Sequence, residues 1–383
     1  MHVLVFPGWY PGKADNLSGD FIQRHLQAIS LYCKVTAIVP VKDISVKNTL
    51  SSTTVNGNLT ELYISYPSVS RIKVVDKMVS FLRYNYLCIK SARAVIKKDP
   101  VNIVHLYVLQ KNHLTGLLLQ LIYKIPFVVS EQSTLYIDGG FEKLGRLKKS
   151  LWSYVFKRAA SYHSVSHYLA NNIKNKLQLA KEGVIIPNVV DSGLFFYNHE
   201  WVNSRTTFVH VSNMVYQKNV EGMLQAFAKL KKNTPDFILN LVGPMPLLIA
   251  ELIAELGLEK QVVCWGERNY KEVAGIMQQS DVFVFFTRFE TFGCVIIEAN
   301  ASGLPVIVSD LPVTREVVKS NVNGLFVESE NEQDLAEKLL FMKHHLHSFD
   351  PLSISLQTRN KYNYNNVGKQ FSKWYTDVLA AEK

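Results

Sequence analysis

Two glutamates in one short segment are the residues of this chain best placed to bind a polyhydroxylated ligand. Glu290 and Glu298 lie in VFVFFTRFETFGCVIIEANASGLPVIVSD, residues 282–310, with seven residues between them. That separation is about two helical turns. Each carboxylate can accept hydrogen bonds from vicinal hydroxyls, so the pair suits a ligand with a sugar at one end, a ribose at the other and phosphates between. On spacing alone, a solvated loop acid and a surface ion pair explain the two residues equally well.

The elements around the glutamates form a strand–helix–strand unit. The pattern predicts a buried strand to Thr287, a helix that opens near Phe292-Gly293 and stops at Gly303, and a second strand from Pro305. In such a unit, ligands collect beyond the carboxyl ends of the strands, where the first N–H groups of the helix favour phosphate. Gly293 would let a diphosphate approach the backbone closely.

The same rhythm of apolar runs and helical stretches fills the chain and predicts two doubly wound α/β domains. The N-terminal domain is expected over residues 1–195 and the C-terminal domain over residues 196–365, with a polar segment at the boundary. A final amphipathic helix is predicted at about residues 366–383, and packing back on the N-terminal domain is one possibility for it. The predicted strands are His2–Phe6, Val35–Pro40, Ile103–Tyr107, Phe127–Glu131, Tyr162–Ser166, Val184–Pro187, Phe208–Ser212, Phe237–Gly243, Val262–Gly266, Val282–Thr287, Val306–Asp310 and Leu325–Glu328.

Composition limits the class of protein. The chain has 383 residues, 48% of them hydrophobic, and a net charge of +10, which favours polyanionic partners. It lacks the common DNA- and RNA-binding signatures, so no nucleic-acid partner is expected. Four widely spaced cysteines indicate a reducing compartment. No signal peptide or membrane span is recognisable, which predicts a cytoplasmic protein, free or peripheral on the inner face of the cell membrane.

Two stretches combine basic residues with apolar ones, residues 71–98 and 142–158. In the second, Leu147, Leu151 and Tyr154 share a helical face with Leu144 and Val155, while lysines and arginines crowd the other faces. This arrangement suits docking on anionic lipid. An ordinary surface helix packed on its own sheet is the alternative.

Several motifs in order give the chain a family resemblance. The 282–310 block resembles the signature of retaining glycosyltransferases of family 4, which have the GT-B fold of two Rossmann-like domains with a cleft between them. IIPNVVDSGLF resembles the linker of that family, HSVSHYLANNI its preceding strand and helix, and FPGWYPGKADNLSGDFIQRHLQAI its N-terminal glycine loop. The resemblance covers most of the chain and includes glycosyltransferases of bacterial polysaccharide biosynthesis.

The resemblance implies roles for single residues. Glu290 would contact the transferred sugar, and Glu298 would hold the ribose of the donor. Lys218, in SNMVYQKN, falls where the family places a lysine on the donor diphosphate, whose negative charge grows as the glycosidic bond breaks. Backbone contacts to sugar and phosphate would come from Thr291, Phe292, Gly293 and Cys294.

Two departures from the family pattern bear on the mechanism. Asn213 stands where the family usually has an arginine, so it brings no charge to the phosphates; Arg288 either compensates or is structural. Gln132 stands where many members have a histidine, and a neutral amide cannot be a general base. The resemblance implies a front-face retaining route in which the leaving diphosphate helps to deprotonate the acceptor. No metal and no other cofactor is expected.

The remaining candidates are residues at predicted strand ends. Asp20 is an acceptor candidate or, more simply, a turn cap, and His105 is a ligand or a satisfied core histidine. Backbone or side-chain contacts to the donor are expected from Gly19, Gly243, Gly266 and Arg268.

The sequence therefore predicts transfer of a sugar from a nucleoside diphosphate sugar to a glycan acceptor, with a lipid-linked acceptor of bacterial surface polysaccharide preferred. The N-terminal domain would bind the acceptor and the C-terminal domain the donor. The alternatives are a nucleotide-sugar epimerase or sugar phosphorylase on the same fold, and a catalytically weakened homologue that binds sugar or a partner subunit.

Overall fold

The computed structural model describes residues 1–12, 18–68, 72–198 and 205–382. The chain divides into two compact units. Unit 1 comprises Met1–Val189 and Tyr364–Lys383, and unit 2 comprises Val190–Asn363. The last segment of the chain therefore belongs with the first half.

Unit 1 is an α/β unit built on an eight-stranded sheet. Its strands are β1 (His2–Pro7), β2 (Lys34–Lys42), β3 (Leu50–Asn56), β4 (Leu59–Tyr66), β5 (Ile103–Tyr107), β6 (Phe127–Glu131), β7 (Ser161–Ser164) and β8 (Val184–Ile185). Its helices are α1 (Asp20–Ser30), α2 (Lys73–Lys98), α3 (His113–Tyr123), α4 (Arg146–Arg158), α5 (His167–Leu177) and α12 (Tyr364–Ala381).

The strands of unit 1 lie in the order β3-β4-β2-β1-β5-β6-β7-β8. All neighbours are parallel except β3 and β4, which form an antiparallel hairpin. Both strands of this hairpin are absent from the predicted strands. Every residue of β3 is exposed, and polar residues interrupt the buried apolar positions of β4. The strand order reverses between β1 and β5, which is the position where open α/β sheets bind ligands.

The C-terminal helix α12 packs on α1 within unit 1. Its apolar side chains Phe371, Trp374 and Tyr375 are buried in one core with Val5 of β1 and Leu26 of α1. The amphipathic spacing seen in the sequence therefore reflects burial against the N-terminal sheet.

Unit 2 is a second α/β unit with six parallel strands in the order β11-β10-β9-β12-β13-β14. The strands are β9 (Thr206–Val211), β10 (Phe237–Val242), β11 (Val262–Gly266), β12 (Val282–Phe285), β13 (Val306–Ser309) and β14 (Gly324–Val327). The helices are α6 (Val220–Asn233), α7 (Leu247–Glu255), α8 (Tyr270–Gln278), α9 (Cys294–Ala301), α10 (Glu332–His345) and α11 (Pro351–Tyr362).

The two sheets confirm the doubly wound fold class. Numbered in chain order, the parallel strands of unit 2 lie in the order 3-2-1-4-5-6, as in dinucleotide-binding folds. In unit 1, with β3 left out, the order is the same with a seventh strand, β8, added at the end. The strands β10, β12 and β13 of unit 2 are almost fully buried because helices cover both faces, which explains their continuous apolar runs. None of the helices in the described ranges is long and apolar enough to cross a membrane.

Candidate functional site

The switch point of unit 2 lies between β9 and β12, the adjacent strands at which the strand order reverses. Because the sheet is parallel, the loops after β11, β10, β9 and β12 leave from the same edge. Lys218 lies in the loop after β9, and Glu290 lies in the turn after β12. Two residues 72 positions apart in sequence are therefore brought together at the edge where a ligand is expected.

Lys218 and Glu290 form an ion pair. The Lys218 Nζ lies 2.7 Å from the Glu290 Oε2, and the side chains are 14% and 10% exposed. The ammonium also lies 4.8 Å from the centre of the Phe285 ring, a cation–π contact. The other carboxylate oxygen of Glu290 accepts a hydrogen bond from the Thr291 N–H at 2.8 Å. Both charged groups are thus held in defined positions.

Backbone contacts lock the Lys218 loop onto the Glu290 turn. The Gln217 carbonyl oxygen accepts hydrogen bonds from the Arg288 N–H and the Thr287 hydroxyl, both at 2.8 Å. The Gln217 amide donates to the Phe289 carbonyl oxygen at 2.8 Å and lies 3.5 Å from the Glu290 carboxylate. Gln217 was missed in the sequence, since only the fold shows that its loop meets the turn.

The predicted helix start is confirmed at α9. Gly293 is its N-cap with φ +85, a conformation that L side chains rarely adopt. A Cβ atom at Gly293 would lie 2.6 Å from the Ile296 Cδ1. Phe292 is buried 6.0 Å from the Tyr362 ring, and Cys294 is half-buried in the first turn. The glycine therefore leaves the N-terminal end of α9 without a side chain beside Glu290.

Glu298 lies inside α9 and is buried. Its Oε1 accepts a hydrogen bond from the hydroxyl of Tyr270, the first residue of α8. The Tyr270 ring packs edge-on against Phe195 with centroids 4.9 Å apart. Tyr270 is a second residue that the sequence did not single out. Its hydrogen-bond partner lies 28 positions away, so no local pattern marks it.

Arg288 has a structural role in the described part of the chain. Its guanidinium bridges Glu221 at 2.8 Å and Glu330 at 2.7 Å and lies 4.1 Å above the Tyr216 ring. Two carboxylates already neutralise it, which favours the structural alternative for Arg288 over compensation for Asn213. Asn213 itself is exposed in the loop after β9.

The other candidates of unit 2 lie at the same sheet edge. Gly243 directly follows β10, and Gly266 is the last residue of β11 with open space at its Cβ position. The N–H of Gly243 donates to the carbonyl oxygen of Gly266 at 3.0 Å. Arg268 is exposed just beyond, with its guanidinium carbon 5.9 Å from the centre of the Trp265 ring.

Unit 1 holds the remaining candidates, beginning with Gly19 and Asp20 at the start of α1. Gly19 has φ +75, and a Cβ atom there would lie 2.6 Å from the backbone of Trp9. Asp20 forms a 2.9 Å ion pair with Arg24 one turn on, and the Arg24 guanidinium also donates to the Val189 carbonyl oxygen at 3.3 Å. Asp20 thus stabilises the start of α1 through its ion pair with Arg24, whereas the predicted role was to cap a turn.

His105 lies in the middle of β5 as a core histidine with both nitrogens bonded. His163 donates from Nε2 to the Ile186 carbonyl oxygen, so its Nδ1 accepts from the Ser130 hydroxyl, each at 2.7 Å. Ser130 in turn accepts from the His105 Nε2 at 2.6 Å, and the His105 Nδ1 accepts from the Tyr375 hydroxyl at 2.7 Å. Burial lowers the pKa of His105 well below its usual value and that of His163 to about 4. The chain of hydrogen bonds connects neutral groups and ties α12 to the sheet.

Gln132 follows β6 and is buried. Its amide nitrogen lies 3.5 Å from the Nδ1 of His25, whose pKa burial lowers well below its usual value. The neighbouring Glu131 accepts hydrogen bonds from three backbone N–H groups, those of Leu109, Gln132 and Ser133. Burial raises the pKa of Glu131 to about 7, against the effect of these hydrogen bonds. This carboxylate, absent from the predicted site, fixes the carboxyl ends of β5 and β6.

The described ranges contain no group of three or more histidine, cysteine, aspartate or glutamate side chains placed to hold a metal ion.

Comparison with known proteins gives the site a family context. Residues 195–346, which include the Lys218 loop and all of α9, match the family model of glycosyl transferases group 1. We refer to this matching stretch, residues 195–346, as the group 1 domain. The group 1 domain holds Lys218, Glu290 and Glu298.

Curated relatives extend the similarity beyond the group 1 domain. An uncharacterized glycosyltransferase of Methanocaldococcus jannaschii is 26% identical over 63% of this chain and 66% of its own length. N-acetyl-alpha-D-glucosaminyl L-malate synthase of Bacillus anthracis is 26% identical over 57% of this chain and 60% of its own. The N,N'-diacetylbacillosaminyl-diphospho-undecaprenol alpha-1,3-N-acetylgalactosaminyltransferase of Campylobacter jejuni is 23% identical over 70% and 75%. The chain thus spans less than two thirds of the length of the Methanocaldococcus and Bacillus relatives.

Solved structures show the GT-B fold for the whole chain. Sucrose-phosphate synthase from Thermosynechococcus elongatus has a TM-score of 0.78 at 15% identity and covers 100% of both chains. HepE of Anabaena, solved in complex with UDP, has a TM-score of 0.76 at 16% identity, covering 98% of this chain and 100% of its own. At this identity the similarity establishes the fold alone.

Proposed function

We propose that the chain transfers a glycosyl group from a nucleoside diphosphate sugar bound in unit 2 to an acceptor bound in unit 1. The nearly buried Lys218–Glu290 ion pair carries the proposal. An ammonium binds the diphosphate of such a donor, and a carboxylate binds the hydroxyls of its sugar. One ligand can therefore replace both halves of the pair at once, and neither charge is left buried without a partner.

The reaction route follows from the same residues. As the glycosidic bond breaks, the diphosphate gains negative charge, which Lys218 and the N-terminal end of α9 stabilise. Glu298 binds the ribose through its carboxylate. Because Gln132 cannot take a proton as a general base, the leaving diphosphate takes the acceptor proton on the same face of the sugar. The transfer is then retaining and needs no metal.

A lipid-linked glycan is the acceptor that we propose, in the assembly of a bacterial surface polysaccharide on the cytoplasmic side of the membrane. Two observations support this acceptor. The Campylobacter relative is named for its action on a sugar linked to diphospho-undecaprenol, and unit 1 has basic helices. A catalytically weakened homologue is the second candidate, because Asn213 and Gln132 remove a cation and a base from the family pattern.

A thermal-shift screen with EDTA present tests the donor site. Nucleoside diphosphates and their sugars are added to the wild type, to Glu298→Ala and to Glu337→Ala, a control at an exposed residue of α10. We expect one nucleotide series to raise the Tm of the wild type and of the control, because a ligand that binds only the native state stabilises it. The shift should shrink in Glu298→Ala. If no nucleotide raises the Tm, the donor-site proposal fails.

Catalysis needs a second readout. Incubation of the stabilising donor with lipid-linked oligosaccharide, followed by NMR of the product anomer, tests transfer and retention together. Turnover in EDTA with retained configuration supports the proposal. Donor binding without turnover on any acceptor favours the weakened homologue.

A further inference from the structure

The positive charge of the protein is concentrated on two helices of unit 1. α2 has seven basic residues and one acidic residue, and α4 has five basic residues and no acidic one. The chain as a whole has 42 basic and 32 acidic residues. Outside these two helices, 30 basic and 31 acidic residues remain. The net charge of +10 is therefore a property of α2 and α4, while the rest of the chain is close to neutral.

Ion pairs within the described part of the protein do not neutralise this charge. Among the described residues, no lysine or arginine of α2 or α4 forms a salt bridge, whereas cations such as Arg24, Lys218 and Arg288 do. Arg83 donates to the Thr49 hydroxyl, which carries no charge. Both helices thus retain their full positive potential for an anionic partner.

Each of the two helices also exposes an apolar stripe. On α2 the stripe is Val75, Met78, Leu82 and Tyr86, spaced by three or four residues and between 40% and 62% exposed. Such spacing places the four side chains on one face of the helix. The opposite face of α2 packs into unit 1 through buried residues such as Leu87.

The stripe on α4 consists of Leu147, Leu151 and Tyr154. Leu147 is 89% exposed, and the other two are exposed to a lesser extent. The neighbouring Val155 and Trp152 are buried, so the face predicted from the sequence is split between the core and the solvent. Basic residues of the same helix flank the exposed part.

The two stripes belong to one layer of helices. α2 packs against α3, and α3 packs against α4. At the first residue of α3, the His113 ring stacks on Phe81 of α2 with centroids 5.6 Å apart. Burial lowers the pKa of His113, and the charge of Lys148 of α4 adds to this effect, so both helices approach the same end of α3.

That end is also the end where the acceptor is proposed to bind. Helices that connect parallel strands run back along the sheet, so α2, α3 and α4 begin at the carboxyl ends of the strands. The apolar stripes lie in the first fourteen residues of α2 and along α4 from its second residue. The basic, apolar surface therefore borders the ligand-binding edge of the unit 1 sheet.

We propose that the exposed stripes of α2 and α4 with their flanking lysines and arginines, hereafter the docking surface, bind an anionic lipid bilayer. Apolar side chains that protrude between basic ones, with tyrosines Tyr86 and Tyr154 at the stripe ends, suit insertion at a lipid headgroup boundary. A second copy of this chain would bring like charges face to face. The inference rests on the proposed function only for its purpose, which is to bring a lipid-linked acceptor to unit 1.

Vesicle flotation of the full chain tests the apolar part. Vesicles of phosphatidylcholine alone are compared with vesicles that also contain phosphatidylglycerol. The double variant Leu82→Ser with Leu147→Ser should bind the anionic vesicles more weakly than the wild type, by about tenfold or more. Its control is Leu247→Ser with Leu248→Ser, two exposed leucines of α7 in unit 2. The control should bind like the wild type.

Charge reversal tests the electrostatic part. Lys77→Glu with Arg146→Glu should weaken binding about tenfold or more, and added salt should weaken wild-type binding. Lys260→Glu with Lys319→Glu, two exposed lysines of unit 2, is the control and should bind like the wild type. Equal flotation with neutral and anionic vesicles, equal losses in a control, or no flotation would overturn the proposal.

The docking and the transfer reaction can fail separately. The docking variants should keep wild-type transfer to a water-soluble acceptor analogue, since no residue of the donor site is changed. If the wild type forms dimers that these variants lose, and no vesicle binding is seen, the surface contacts a second copy. That result would overturn the proposal. Normal flotation without transfer would instead contradict the proposed function.

Discussion

Lys218 and Glu290 each compensate the charge of the other in a nearly buried position. Truncation of one partner leaves the second charge without a counter-ion in a place from which water is largely excluded. We expect Lys218→Met to lower the free energy of unfolding by about 1–3 kcal/mol. Adding Glu290→Gln should restore part of the loss, because the unpaired carboxylate is then gone. Urea unfolding of the two single variants and the double variant measures the coupling, and strictly additive losses would contradict it.

Catalysis should respond differently from stability at the same pair. A cation on the leaving diphosphate acts mainly in the transition state, so Lys218→Met should lower kcat with the proposed donor by about 100-fold or more. The double variant should remain as inactive as the single one, although it is more stable. Steady-state kinetics on both proteins checks this, and recovery of activity in the double variant would assign Lys218 a structural role only.

Tyr270 is a positioning residue for Glu298. Removing its hydroxyl leaves the ring packed on Phe195 and deprives the carboxylate of one hydrogen bond. We expect Tyr270→Phe to weaken binding of the nucleoside diphosphate about tenfold, with the donor KM raised and kcat unchanged. Isothermal titration measures the affinity. Tyr216→Phe, which alters an exposed ring in the same unit, is the control and should bind like the wild type. Equal affinities in all three proteins would count against the role.

The sequence indicated the charged residues of the candidate site but not the residues that hold them in place. Glu290, Glu298 and Lys218 could be selected because their motifs are local and keep a fixed order. Gln217 and Tyr270 act across 72 and 28 positions, so their roles depend on how the loops and α8 meet α9 in three dimensions. Such contacts have no pattern in a single sequence.

At the level of elements, the hydrogen-bond chain between α12 and the sheet depends on one hydroxyl. Without the Tyr375 hydroxyl, the Nδ1 of His105 is buried without a donor. We expect Tyr375→Phe to destabilise unit 1 by about 1–3 kcal/mol. Tyr32→Phe is the control, since the Tyr32 hydroxyl bonds Asn365 in α12 on the exposed surface. Denaturant unfolding of the two variants compares them, and equal losses would contradict the burial argument.

Strands were predictable where burial imposes a continuous apolar run. All twelve predicted strands coincide with strands of the two sheets, with ends differing by up to two residues. The strand β3 was missed because it is held by main-chain pairing with β4 and buries none of its side chains. The strand β4 does bury residues, but polar positions interrupt its apolar ones. Main-chain pairing is independent of side-chain type, so it leaves no apolar pattern.

At the scale of the whole molecule, buried neutral histidines make stability depend on pH. Burial lowers the pKa of His163 and His210 from 6.5 to about 4, and those of His25 and His105 well below 6.5. Between these values the unfolded chain binds more protons than the native one, so the free energy of unfolding should fall as the pH falls from about 6.5 towards 4. His163 and His210 would each remove up to about 3 kcal/mol.

Glu131 acts in the opposite direction over part of this range. Its native pKa of about 7 exceeds the ordinary 4.5, so its contribution to stability rises as the pH falls from 7 to 4.5. Four histidines outweigh one glutamate, and the net change should be a loss. Urea unfolding across this range measures it, with His344→Gln at an exposed position as the control that keeps the wild-type profile. Stability that does not change with pH would contradict the assignment.

The place of α12 in unit 1 also sets an order for assembly during synthesis. All residues of unit 2 leave the ribosome before α12 does, so unit 2 can complete its own core first. Until then, the sheet of unit 1 lacks Phe371, Trp374 and Tyr375, and His105 has no donor. The core of unit 1 therefore stays incomplete until α12 has been synthesised. A chaperone that shields the α12 side of that sheet would act for roughly the time that the synthesis of unit 2 takes.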